Sequence, residues 1–418
     1  MQNHTNHRPV YEWSLVILLA MMWGFVGLNR AGIGYLLPAI VPEFHLEFWM
    51  AGLLVSGTSI AWAISAWLSG SISDRIGRKP VLVVGMYAAS AVAALFGLSW
   101  NFLSMFIFRD LLGIGDGVGF TTGQATIAER TNPKRRALFQ GIFTGGYSVL
   151  GVGLGAWIVT HLTTEFGWRW VFPVIGLLGA IITTALVFML PNDLSSSPKE
   201  DRLVVGAFWK DMKELAHTPG WPAVTICGGL GLAWLGLNIA FSSLFLVQVR
   251  GFSLDDVGTI VAISTIVGFV GPLVLPSLSD VVGRRPIAAL AAVGAGVGYI
   301  LFPLVPLPGP ALVALLTFAG FCAGGLAPLT LATFYSELVP HRKGAAIGIG
   351  NFFTAILGAS LAPIYGGFLA DHFGLVAPLL LAGIFQLAIA PIILTVPETA
   401  PLVLARAQAA HATHAVSA

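Results

Sequence analysis

The chain has 418 residues, 56% of them hydrophobic and 10% charged, where soluble domains carry about 25% charged residues. Mean hydropathy is +0.86. These values exclude an ordinary soluble enzyme, a disordered chain and a disulfide scaffold, and describe a chain dissolved mostly in lipid. A net charge of +2 is too weak to imply nucleic-acid binding. Cys227 and Cys322 lie in apolar runs and read as small buried hydrophobes. No HExxH or CxxC spacing offers a metal site, and no cofactor is expected.

The first thirteen residues are polar. The apolar run that follows is too long for a signal-peptide core and lacks a small-residue cleavage site, so it reads as a retained membrane helix. A bilayer core needs about 20 apolar residues in a helix. Runs near 14–37, 49–70, 80–99, 102–125, 138–161, 168–190, 222–247, 257–278, 286–307, 310–333, 344–369 and 375–396 satisfy this. Open sheet edges cannot sit in lipid, and the alternating ten-residue segments of a barrel are absent. The expected fold is therefore an all-α integral membrane protein, with twelve transmembrane helices in two six-helix pseudo-repeat bundles. The expected divisions are an N-terminal bundle over 1–190, a cytoplasmic linker over 191–221, a C-terminal bundle over 222–400 and a cytoplasmic tail over 401–418. Within the linker, 203–217 reads as an amphipathic helix lying on the membrane surface.

Of the 21 Lys and Arg residues, Arg30 and Arg109 fall inside spans, and only Arg169 and Arg250 fall beyond the outer face. The other seventeen share one side. By the positive-inside rule both termini are cytoplasmic, in a multi-pass protein of the cell's inner membrane.

The sequence repeats internally. GSISDRIGRKP at 70–80 matches PSLSDVVGRRP at 276–286, each in the loop after the second span of its half. A second echo joins Glu129–Gly141 with Glu337–Gly348. In the first loop Asp74 can accept from exposed N–H groups at a helix start. Gly77 permits the turn, and Arg78 and Lys79 can reach lipid phosphates or a carboxylate. A plain basic turn would explain one copy, but two copies at equivalent places favour a repeated device. Two six-span halves with a site between them is a transporter plan.

Four charged side chains lie within spans: Arg30, Arg109, Asp110 and Asp116. Such residues are costly in lipid and are functional candidates by default. Arg109 and Asp116 are seven apart and share a helix face, about 10 Å apart along the axis. Asp110 is rotated about 100° away and faces a neighbouring helix or the outer interface. Gly113/Gly117 and Gly115/Gly119 give small-xxx-small spacing for close helix approach. An Arg grips a carboxylate with two bonds. Protonating Asp116 would free Arg30 for an anionic substrate, with Asp116 and Arg109 as the coupling pair. The competing reading is a neutral buried network that only holds helices together.

The loop at 70–80, its degenerate copy and the twelve spans resemble the major facilitator superfamily. The resemblance implies a conformational latch of Asp74, Arg75 and Arg78, repeated by Asp280 and Arg284, with a weaker second copy because Val281 stands in the place of Arg75. LNRAGIGYLLPAI (28–40) and RDLLGIGDG (109–117) resemble the anion:cation symporter branch of sugar-acid transporters and sialin. That branch implies Arg30 as carboxylate anchor and Asp116 as proton carrier. Here Asp replaces the usual Glu at 116, and Asn29 stands where an Asp often precedes the Arg. GIGYLLPAI also resembles the aromatic acid:proton symporters. Drug–proton antiporters of the superfamily carry a Pro-containing glycine motif in span five, which is absent from GVGLGAWIV (151–159).

Uncharged groups in the C-terminal half are candidates to read the substrate. They are Trp234, Asn238, Ser264, Thr265, Tyr335, Asn351 and Thr354, of which Asn238 and Asn351 most need a partner. In the N-terminal half Tyr35, Gln124 and Tyr147 are comparable, and Trp23 could stack on an aromatic acid. For each the competing reading is helix–helix hydrogen bonding or self-satisfaction within its helix. The expected protein is a monomeric, proton-coupled carrier of a small organic anion, in contact with membrane lipid. The alternative is an exporter or facilitator of a neutral or cationic compound.

Overall fold

The computed structural model describes residues 9–132, 135–191, 205–341 and 343–406. The N-terminal segment 1–8, the linker stretch 192–204 and the tail 407–418 therefore lie outside the described residues. Eleven helical runs among the described residues are long and apolar enough to cross a membrane: Pro9–Glu43, Phe48–Ile76, Arg78–Phe96, Leu138–Phe166, Trp168–Met189, Trp221–Gln248, Leu254–Val282, Arg284–Leu304, Gly309–Leu338, Ala346–Phe373 and Val376–Ile393. The remaining expected span is the 29-residue helix Phe102–Arg130. It is long enough to cross, but Arg109, Asp110 and Asp116 make it less apolar. In chain order these are spans one to twelve, with Phe102–Arg130 as span four. No strand occurs among the described residues, as expected where every backbone group must be satisfied inside its own segment.

Contacts divide the chain into two units. One is Met1–Asp201 with Leu246–Ala262, and the other is Arg202–Phe245 with Ile263–Ala418. Each unit turns its tight corners in the same way. Gly77 (φ 98°) and Gly167 (φ 82°) sit at the corners after spans two and five. Gly283 (φ 126°) and Gly374 (φ 78°) sit after spans eight and eleven. These backbone angles are available to glycine without a Cβ clash. The pair 77/283 repeats the 206-residue offset of the loop motif, and the pair 167/374 repeats it to within one residue.

Span four is placed by its glycines. A Cβ on Gly113 or Gly117 would meet span two, at Thr58 O (2.5 Å) and Ser65 Oγ (2.0 Å) respectively. A Cβ on Gly115 or Gly119 would meet span three, at Ala89 Cβ (2.5 Å) and Met86 Sδ (2.8 Å). The alternating glycines thus draw a helix close on each of two sides, and Asp116 lies between them. Its start is fixed by a capping box, in which Ser104 N donates to Asn101 Oδ1 (2.8 Å) and Asn101 N donates to Ser104 Oγ (3.2 Å).

Spans one and five meet equally closely. A Cβ on Gly146 would lie 2.1 Å from Ala20 O, and one on Gly151 would lie 2.6 Å from Gly27 Cα. Span five passes through a π-helical stretch at Gly146–Leu154, the kind of local widening that recurs at functional sites. In the second unit the linker helix Val205–Ala216 is pinned through Leu215, buried with Trp221, Val224 and Tyr335 in one cluster.

Overpacking a close helix contact costs about 1–3 kcal/mol. Gly151→Ala should therefore lower the thermal midpoint of the purified protein by several degrees. Gly141→Ala, whose added Cβ meets nothing within 4 Å, should leave the midpoint nearly unchanged.

Candidate functional site

The charged residues of span four come to rest in different ways. Arg109 is fully buried. Its Nε donates to Leu54 O (3.2 Å), its Nη1 to Asn29 O (2.7 Å) and its Nη2 to Arg30 O (3.5 Å). The guanidinium is thus solvated by backbone carbonyls of spans one and two. Asp116 is also fully buried, and neither carboxylate oxygen has a hydrogen-bond partner among the described residues. The two charges are about 10 Å apart along the helix. At an effective dielectric of 20 that is worth roughly 1.7 kcal/mol. Burying each ion costs several kcal/mol, so their mutual attraction alone does not stabilise a buried Asp116 anion.

Arg30 is half-buried on span one. Its Nη2 donates to Ser59 Oγ (3.1 Å), and its Cζ lies 5.4 Å from the ring centroid of Trp62. Both partners are on span two, and neither was singled out by the sequence. Around them the polar atoms Asn29 Oδ1, Ser56 Oγ and Trp62 Nε1 are buried without a partner among the described residues. Buried polar atoms normally find one. Here they lie on span one, which carries Arg30, and on span two, which supplies its partners Ser59 and Trp62. Asp110 presses on span two, with Oδ1 2.6 Å from where a Cβ on Gly57 would lie.

An aromatic wall adjoins these groups. Trp23 contacts Phe120 (4.9 Å between centroids), Phe143 (5.5 Å) and Tyr147 (5.4 Å), and Phe120 contacts Trp62 (5.5 Å). Tyr35 is buried and donates to Val152 O (3.1 Å) in the π-helical stretch. Gln124 offers its carbonyl to Gln140 Nε2 (2.9 Å).

The second unit holds its candidates separately. Asn238 is satisfied along its own helix, donating to Trp234 O (3.0 Å) and accepting from Ser242 Oγ (3.0 Å). Tyr335 is fully buried and donates to Thr225 Oγ1 (3.1 Å). Thr354 is buried and donates to Asn351 O (2.9 Å), and Ser264 Oγ donates to Val313 O (3.4 Å). Trp234 Nε1 and Asn351 Oδ1 are buried without a partner among the described residues, and so is Gln386 Oε1 on span twelve, which the sequence reading missed. A lone Gln inside an otherwise apolar span was the available signal.

The repeated loop forms the same network in each unit. Arg78 binds Glu129 Oε1 through Nη2 (2.8 Å) and Nε (3.1 Å), together with Asp74 and Ser73. Arg284 binds Glu337 through Nη2 (2.9 Å) and Nε (3.2 Å), Ser279 Oγ (2.7 Å) and Asp280. Each network ties three consecutive spans of its own unit. Arg75 is exposed and makes none of these bonds, so Val281 in its place leaves the intra-unit network intact. In the second unit the chain after span twelve joins the network. Glu398 accepts from the N–H groups of Arg284 (2.8 Å) and Arg285 (3.2 Å), at the start of span nine, and from those of Thr399 and Ala400. Thr399 Oγ1 donates to Glu337 Oε2 (2.6 Å).

No group of His, Cys, Asp and Glu suited to a metal occurs among the described residues. A family model described as Major Facilitator Superfamily matches residues 19–363. The chain is 26% identical to a gallate transporter of Pseudomonas putida, over 90% of this chain and 89% of that one. It is 27% identical to multidrug resistance protein 2 of Bacillus subtilis (81% and 85%) and 26% identical to the cis,cis-muconate transport protein of Acinetobacter baylyi (86% and 88%). Among solved structures, a bacterial homologue of the human lysosomal transporter Spinster aligns with a TM-score of 0.78 at 16% identity, covering 92% of this chain and 97% of that one.

Burial pushes the Glu398 carboxyl up, but the four backbone N–H bonds outweigh it and hold the group below the usual carboxylate range. A depressed carboxyl stabilises the fold above its unfolded value and loses that contribution as pH falls through its folded value. Glu398→Gln should therefore lower the thermal midpoint at pH 7, and the gap to wild type should close as pH falls below about 4.

Proposed function

The chain belongs to the major facilitator superfamily and is a transporter, and on that premise we propose that it carries a small organic carboxylate, preferably aromatic, together with protons. The observation that carries this reading is Asp116, buried with both carboxylate oxygens unpartnered among the described residues, on the helix packed against span one, which bears Arg30. A buried carboxylate anion without hydrogen bonds is expensive. A proton, or the approach of Arg30, removes that expense, and the two alternatives exclude each other.

Arg30 is the substrate anchor in this reading. A guanidinium presents five N–H donors, and here Ser59 and the Trp62 ring hold it weakly enough to be recruited. A substrate carboxylate offers it two charge-assisted bonds. Trp62 Nε1 and Asn29 Oδ1 supply a donor and an acceptor beside it for further polar groups of the substrate. Trp23, Phe120 and Tyr147 offer faces for a ring. Arg109 acts as a positioning residue, because its bonds to Asn29 O and Arg30 O fix the backbone that presents Arg30. Tyr35, Trp234, Asn238 and Asn351 complete the proposed substrate-reading set. The site then opens to either side of the membrane in turn. Asp74, Arg75, Arg78, Asp280 and Arg284 govern that change and do not touch substrate.

Gallate and muconate, in the names of two relatives, are small carboxylates, which supports the anion reading. On this reading the protein is a monomer of the inner membrane with both termini cytoplasmic and with its two bundles over 1–190 and 222–400. The multidrug relative favours a second reading, export of a neutral or cationic compound with Asp116 acting alone.

Proteoliposomes loaded with a pH dye separate the two. Aromatic carboxylates should acidify the lumen in wild type, and Asp116→Asn should abolish this. Arg30→Ala should raise KM for the carboxylate about 100-fold, the loss expected for two charge-assisted bonds. A response to organic cations alone, unaffected by Arg30→Ala, would establish the second reading instead.

A further inference from the structure

A groove of about 650 Å³ opens beside the linker helix. One wall is Trp209, Met212 and Ala216 of that helix. The other is Ile226 of span seven with Phe353 and Leu357 of span eleven. Lys213 and His217 stand at its rim. All of these residues belong to the second unit, and none belongs to the transport site.

The level of the groove limits what fills it. Span seven begins at Trp221, so Ile226 lies about 8 Å into the membrane from that start. The groove therefore runs from the linker helix, at headgroup level, into the hydrocarbon. Ile226 and Leu357 are about half exposed, at 49% and 50%, and Trp209 is 59% exposed. Apolar surface of this kind on a membrane span is covered by acyl chains.

The rim then selects the headgroup. On a helix, Lys213 and His217 are about 40° apart, whereas Asp211 and Glu214 are turned about 160° and 100° from Lys213. Lys213 and His217 line the groove, and neither Asp211 nor Glu214 does. The His217 ring bonds to Lys213 O through Nδ1 (2.7 Å). A carbonyl only accepts, so Nδ1 carries the hydrogen and the ring is held in place beside Lys213. Leu215, buried at 3% exposure, anchors the helix so that both basic residues stay over the groove.

We propose that this groove is a binding site for one anionic phospholipid of the bilayer, with an acyl chain along Ile226, Phe353 and Leu357 and the phosphate at the Lys213 ammonium. A surface Lys near anionic lipid is worth enough to give about a fivefold preference over a zwitterionic headgroup. The test is lipid retention by the full chain, read by native mass spectrometry after washing with phosphatidylglycerol or phosphatidylcholine of matched chains. Wild type should retain phosphatidylglycerol about fivefold better. Lys213→Glu, at an exposed position, should erase the preference while leaving the thermal midpoint unchanged. Ala216→Trp, which fills the groove, should lose the retained lipid altogether. Equal retention of both lipids by wild type would mean that the groove holds hydrocarbon without choosing a headgroup. Undiminished preference in Lys213→Glu would mean that the phosphate binds elsewhere. Either result overturns the proposal.

Discussion

A guanidinium buried among helices has to be solvated by something other than water, and in this protein the solvent is backbone. Arg109 reaches from span four to the carbonyls of Leu54, Asn29 and Arg30. Those carbonyls already accept helical bonds, and each has a second lone pair to give. The positive charge is thereby tied to the spacing of spans one, two and four. Displacing any of the three strands a buried ion, at a cost of several kcal/mol. Arg30 and Asp116 inherit their positions from that arrangement.

The glycines make the arrangement possible. Gly113 and Gly117 let span two approach span four, Gly115 and Gly119 do the same for span three, and Gly146 and Gly151 bring span five against span one. Lipid supplies little hydrophobic drive between helices, so close backbone contact and polar bonds carry their association. Close contact also buries Asp116 fully, and its oxygens have no partner among the described residues. Each unit is closed at one end by an arginine held between an aspartate four residues before it and a glutamate about fifty residues on. The duplicated loop sequence builds this junction twice.

Much of this was legible in the sequence because lipid enforces simple rules. Hydropathy and length placed the spans, the 206-residue offset exposed the repeat, and the seven-residue step from Arg109 to Asp116 placed both on one buried helix. The glycine spacing of span four gave its two packing faces. Partners were harder to read. Arg109 is held by carbonyls, which every residue possesses and no sequence pattern marks. Ser59 and Trp62 meet Arg30 from a helix whose rotation the pattern left open. Asn238 looked in need of a partner, yet Ser242 and the Trp234 carbonyl, within one turn of its own helix, satisfy it. Glu398 was passed over because its role appears only when the end of span twelve meets the start of span nine.

The proposed coupling rests on Asp116 exchanging a proton as substrate engages Arg30. The most direct measurement is the proton count on binding, from calorimetry of a transported carboxylate in buffers of different ionisation enthalpy. Wild type should take up a proton on binding, seen as heat that varies with the buffer, and Asp116→Asn should bind with heat independent of buffer. The same buffer dependence in both proteins would place the proton on another group and contradict the account.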